Sequence, residues 1–219
     1  MTTYKVLDDD GSCRNNGVGS WPLPTKNSDG TWTPGEWLEV EGPLVLCENG
    51  LHGCDGEAQL LKLIGPAIFE MEYAGERLDG DDKFCARRAR LLRKLETWND
   101  RTARLFACDC AERVLHIFET ERPDDKRPRN AIDVSRRYAE GQATKEELDA
   151  ARNAAMDAVS AAESPVAWAA ARVATWAATR VTVWAAARVA TGDAVWAAAR
   201  DAERQWQADR LAEYLRRER

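Results

Sequence analysis

Residues Cys47-Glu-Asn-Gly-Leu-His52-Gly-Cys54 place two thiols and an imidazole within one short stretch, with Cys13 upstream. Cys13, Cys47, His52 and Cys54 form a candidate Cys3His set, a donor composition that suits zinc. The spacing is not a paired C-x2-C, and Cys13 must return across about 30 residues to join the others. The competing reading is a turn with small buried thiols and His52 bonded to backbone. Zinc is the one cofactor this stretch suggests. Otherwise no cofactor is expected.

A second group is Cys108-Asp-Cys110, with His116 near Glu112 and Glu119. Residues two apart on a helix point about 200° from each other. The two thiols therefore cannot share a ligand or form an unstrained disulfide. A Cys–His nucleophile pair competes here with simple buried thiols on a helix face. The chain has no GxSxG, Walker A, strand-borne GxGxxG, HExxH or EF-hand pattern. With only two histidines, no catalytic residue is assigned, and a non-enzymatic binding protein is expected.

The unit Trp-Ala-Ala-Ala/Thr-Arg occurs four times between Ser164 and Leu215. Trp168 pairs with Arg172, Trp176 with Arg180, Trp184 with Arg188, and Trp196 with Arg200. At about 100° per residue, rings eight apart advance about 80°. The indoles sweep around the helix instead of forming one stripe. The expectation is a repetitive bundle core in which alanines admit close neighbours and indoles fill gaps. The competing reading is a Trp/Arg ladder, with Trp176, Arg180, Trp184 and Arg188 as contact residues for a base or nucleotide. Arg127, Arg129, Arg136 and Arg137, together with Lys126, form a basic cluster that suits an acidic partner, against the alternative of a solvated surface.

These groups need elements to hold them. Residues 1–97 carry 17 acidic and 11 basic side chains, whereas 98–219 carry 20 of each. The asymmetry predicts two regions, 1–97 and 98–219, with different surfaces. An acidic total of −6 disfavours duplex nucleic acid as partner. Met1-Thr-Thr-Tyr-Lys opens without an apolar stretch, so the six cysteines are expected to be reduced thiols in a cytoplasm. The apolar run Val166–Ala190 is interrupted by Arg172, Arg180 and Arg188, which argues against a membrane span.

In the first region, strands are expected at Tyr4–Leu7, Pro43–Cys47 and Ala67–Tyr73, and a short helix at Glu57–Ile64. Lys83–Leu95 reads as strand or helix. The second region reads as helical throughout. Helices begin at Asn99 or Asp100, at about Arg129, at the capping box Thr144-Lys-Glu-Glu147 and at Ser164-Pro165. Gly192-Asp193 is expected to divide the repeat into helices over about 165–191 and 193–217.

Two segments resemble known families. Residues 4–95, with YKVLDDDGSC, LCENGLHGC, GPAIFEMEYAG and GDDKFCARRARLLRKL, resemble a small N-terminal domain of unknown function common in phage and prophage proteins. Residues 98–215, with RLFACDCAERVLHIFE and DDKRPRNAIDVSRRYAEGQATKEELDAAR, resemble the helical putative immunity protein domain of bacterial polymorphic toxin systems. The sequence as a whole predicts an α+β protein, a small β-rich N-terminal module followed by an all-α bundle of about five helices. The resemblance implies a phage- or prophage-type protein in a bacterial host cell. It would bind and neutralise another macromolecule, as an immunity protein or an inhibitor of host defence. A protein partner is expected, and a homo-oligomer is compatible with the sequence. The alternative is a nucleotide-sequestering protein. The turn Gly50-Leu51-His52 resembles the ADP-ribosyltransferase-like fold without a matching Glu, which gives a third, enzymatic reading.

Overall fold

The computed structural model describes residues 2–14, 17–177 and 200–216. It contains two units, Met1–Trp98 and Asn99–Arg219. The architecture is α+β, with a β-rich N-terminal part and helices after it.

In the first unit the strands are β1 (Thr3–Leu7), β2 (Thr25–Lys26), β3 (Trp32–Thr33), β4 (Leu38–Glu39), β5 (Leu51–Asp55), β6 (Ala67–Asp79) and β7 (Phe84–Lys94). A short helix, α1 (Gly56–Leu63), lies between β5 and β6. The sheet order is β4-β7-β5-β1-β6, and β6 also pairs with β7. The four strands β1, β5, β7 and β6 therefore close into a ring of antiparallel pairs. Leu7, Trp21, Leu51, Phe69, Phe84 and Leu91 form its apolar core. Gly53 of β5 lies against side chains of β6 and β7. A methyl added there would lie 2.5 Å from Met71 Sδ and 2.7 Å from Phe84 Cζ.

Two expectations for this unit are corrected. Residues 43–47 are not a strand but part of a tight turn in which Val45 and Asn49 exchange backbone hydrogen bonds of 2.8 and 2.9 Å. Asn49 Nδ2 also donates to the carbonyls of Glu41 and Pro43, each at 2.8 Å. One side chain thus satisfies backbone groups that a neighbouring strand would otherwise meet. Cys47 takes a left-handed φ of 68° in that turn, uncommon outside glycine. The second correction is length. β6 runs past Tyr73 to Asp79, with an irregularity between Ala74 and Arg77 where Gly75 has φ 78°. Cross-strand pairs Glu70–Arg93, Glu72–Arg90 and Glu76–Arg87 accompany it. Pairing with β7 carries the strand beyond the end of its own apolar alternation.

The second unit holds α2 (Asp100–Glu121), α3 (Arg127–Ala139), α4 (Lys145–Ala161), α5 (Pro165–Ala177) and α6 (Arg200–Arg216). The starts of α2, α4 and α5 have local causes. Asn99 Oδ1 accepts from the amides of Arg101 and Thr102 at 3.1 and 3.2 Å. Thr144 and Glu147 form the expected capping box, with bonds of 2.7 and 3.2 Å. Ser164 Oγ accepts from Ala167 N at 3.1 Å. α5 packs against α2, α3 and α4 through Ala167, Ala170, Ala171 and Ala174, all fully buried. The alanines let helices approach closely, as expected. Trp168, by contrast, remains 38% exposed. The rest of the expected repeat helices, 178–199, lies outside the described residues.

Candidate partner-binding site

The site grows from one buried carboxylate. Asp109 lies mid-helix in α2, flanked by Cys108 and Cys110, which are both fully buried. A lone carboxylate there would be costly, and three donors from two other helices meet it. Arg136 Nη1 of α3 donates to Oδ1 at 2.7 Å. Arg210 Nε and Tyr214 OH of α6 donate to Oδ2 at 2.7 and 2.8 Å. Arg210 and Tyr214 are one turn apart, so one face of α6 delivers both.

Glu112 and Arg113 follow Asp109 by three and four positions and share its face of α2. Trp206 and Glu213 flank Arg210 on α6 in the same way. These six residues line an open groove of about 430 Å³. The Arg113 guanidinium lies 4.5 Å from the centroid of the half-buried Trp206 ring and pairs with the buried Glu203. Glu112 is bound by Arg136 at 2.6 Å, and Glu213 by Arg210. The groove therefore presents an aromatic ring beneath a cation, a carboxylate rim, and a floor fixed by hydrogen bonds.

The basic cluster is half-exposed and paired within its own unit. Arg127 pairs with Asp125 at 2.6 Å, and Arg129 makes a two-point contact with Glu119 at 2.6 and 2.7 Å. Arg136 pairs with Asp109 and Glu112, and Arg137 with Glu147 at 3.1 Å. Each of the four meets an acid of its own unit. The Arg129 guanidinium holds the Glu119 carboxyl below the usual carboxylate range. Arg127 does the same to Asp125.

The thiols and imidazoles do not come together. Among the described residues no group of three or more His, Cys, Asp or Glu side chains could hold a metal ion. His52 Nε2 accepts from the Cys47 amide at 2.9 Å, so its lone pair is already used. Cys47 is exposed, whereas Cys54 is buried and its thiol is pushed up to about 12 by desolvation. Zinc needs the thiolate, which that environment disfavours. On α2, burial pushes the Cys108 thiol up to about 11. His116 is exposed, with Nδ1 3.0 Å from the Arg113 carbonyl. No Cys–His nucleophile pair forms there.

Of the Trp/Arg units, Trp168 and Arg172 are described, and Arg172 Cζ lies 4.2 Å from the ring centroid. The Trp176 side chain, Arg180, Trp184 and Arg188 lie outside the described residues.

Sequence reasoning missed Asp109, Arg113, Trp206, Arg210 and Tyr214. The available signals were an acid inserted into an apolar helix face and a Trp-Arg-Tyr series at spacings of four.

A family model described as Imm-5 like putative immunity protein matches residues 93–214. A second, described as a domain of unknown function (DUF7666), matches residues 1–103. No curated protein and no solved structure matches the chain.

Proposed function

Because the chain belongs to the Imm-5 like putative immunity protein family, we propose that it binds a protein toxin and neutralises it by occlusion, without catalysing a reaction. The α2–α6 groove is part of the contact surface. One observation carries that placement, the Arg113–Trp206 stack above the Asp109 network. Trp and Arg dominate binding hot spots. Here both are partly exposed and already held in place, so little side-chain freedom remains to be lost on binding. The rim acids Glu112 and Glu213 suit a partner segment that brings Lys or Arg. Surface ion pairs are worth about 0–1 kcal/mol, so Arg127, Arg129 and Arg137 of α3 can exchange partners at low cost.

A phage or prophage setting, action in the bacterial cytoplasm, and inhibition of a host defence protein belong to the same reading. Among the described residues no helix is long and apolar enough to cross a membrane.

The test is co-expression with a panel of polymorphic-toxin domains, scoring growth and co-purification. One toxin should be suppressed and should co-elute with the chain. With that toxin, Trp206→Ala and Arg113→Ala should each weaken binding by about thirtyfold or more, the scale of a hot spot, with the helical signal unchanged. Suppression of no toxin overturns the immunity reading. Full binding by both variants moves the contact surface off the groove.

The Trp168–Arg172 stack supports a second reading, a nucleotide-binding face. A nucleotide at 100 times its Kd would stabilise the protein by about 2.7 kcal/mol. An unchanged melting curve across a nucleotide panel removes that reading.

A further inference from the structure

Lys5 sits in the middle of β1, directly opposite Phe69 of β6. Thr3, Lys5 and Leu7 share one face of the strand. That face is the inner one, since Leu7, Trp21 and Phe69 belong to the apolar core of the ring. The Lys5 ammonium is 4.7 Å from the Trp21 ring centroid and donates to the His52 carbonyl at 3.0 Å. Among the described residues no carboxylate pairs with it. By contrast, Lys26 pairs with Glu96, Lys94 with Asp9, and Lys145 with Asp149.

The groups acting on Lys5 come from three directions. His52 and Cys54 face it from β5, Cys13 from the segment after β1, and Lys83 from the turn between β6 and β7. Burial holds the Cys54 thiol in its neutral form, and burial first, then Lys5 and Lys83, lowers the His52 basicity. The one like charge acting on Lys5 is Lys83. Burial and that charge disfavour the ammonium, and a ring face, one carbonyl and the neighbouring Cys13 and Cys54 side chains favour it. Burial is the larger influence, and Lys5 lies below the usual lysine range. The residue as a whole keeps partial exposure.

We propose that Lys5 is a modification site, a nucleophilic amine that accepts an acyl group from small activated donors of the acyl phosphate class. An amine held without a counter-ion keeps its lone pair available at neutral pH, as desolvated catalytic lysines do. The nitrogen lone pair attacks the acyl carbon and forms the C–N bond. The bond from that carbon to the phosphate oxygen breaks with its electron pair. The amine loses one proton, and the products are an amide and hydrogen phosphate. Acylation replaces a poorly accommodated ammonium with a neutral group beside Trp21.

The full chain is treated with acetyl phosphate at pH 7.0 and at pH 9.5, and acetylation at each lysine is read by peptide mass spectrometry. At pH 7.0 Lys5 should react about fivefold or more faster than Lys62 and Lys126. At pH 9.5 the ratio should shrink, because an ordinary lysine amine, with a pKa of about 10.4, is far more nucleophilic there than at pH 7.0. Lys5→Arg should remove most of the acetyl uptake at pH 7.0 and leave the rates at Lys62 and Lys126 unchanged. Labelling of Lys5 no faster than Lys126 at pH 7.0 overturns the proposal. So does a ratio that is the same at both pH values, since that would reflect accessibility alone.

Discussion

At the residue scale, Asp109 is the group on which the helical unit depends most. Its carboxylate is 8% exposed and receives Arg136, Arg210 and Tyr214. Replacing it with alanine strands two guanidinium groups and a phenol. Asp109→Ala should cost about 3–5 kcal/mol in a urea titration, the cost of breaking a buried ion pair. Asp109→Asn keeps some hydrogen bonding and should cost less. Equal stability of Asp109→Ala and wild type would show that the hub is ornamental. His52 gives a pH-dependent counterpart. Burial, then Lys5 and Lys83, lowers its basicity below the ordinary value of 6.5, and its Nε2 accepts the Cys47 amide. The unfolded chain therefore takes up the proton more readily than the folded one. His52 contributes stability fully above pH of about 6.5, and that contribution falls away as the pH drops toward the folded value. The urea midpoint should decline between pH 7 and 5, and His52→Ala should flatten that part of the curve.

Elements were readable wherever a local signal decided them. The capping box at Thr144 placed the start of α4, and the Asn99 cap placed α2. Thr144→Ala should lower stability by about 1 kcal/mol, the usual worth of a cap. A Tm indistinguishable from wild type would mean that tertiary packing alone sets that end. Long-range partners overruled local signals elsewhere. The run Pro43-Leu-Val-Leu-Cys47 looks like a strand, but the Asn49 amide binds the loop carbonyls and the segment turns instead. β6 outlasts its apolar alternation because β7 pairs with it along its length. Trp168 shows the same limit in a helix. The sweep of the indoles lies outside the described residues beyond Trp168; alanines fill the α5 contacts and this indole stays partly exposed. The groove was the least legible feature. Its residues come from helices about 100 positions apart in sequence, as with Asp109 and Tyr214, and no spacing rule joins them. The basic stretch at Arg127–Arg137 was visible as charge, while its acidic partners at Glu112, Glu119 and Glu147 were visible only in three dimensions.

At the scale of the whole molecule, the acid excess of residues 1–97 and the balanced charge of 98–219 match a change from strands to helices along the chain. The strand ring has a further consequence for life in a crowded cell. Closure leaves few backbone groups along its rim that could zip to another chain. From Glu72 to Asp79, one flank of β6 has no strand neighbour among the described residues. That flank is bent at Gly75 and carries Glu72, Glu76, Arg77 and Asp79. Bends and charges are what discourage a second molecule from adding a strand. Replacing Glu72, Glu76 and Asp79 together with threonine should give light scattering that rises with protein concentration, whereas the wild type should stay flat. The charges on this hairpin arm, which cost the fold little, are then a safeguard against self-association, and they leave any toxin to be recognised through side chains rather than through a shared sheet.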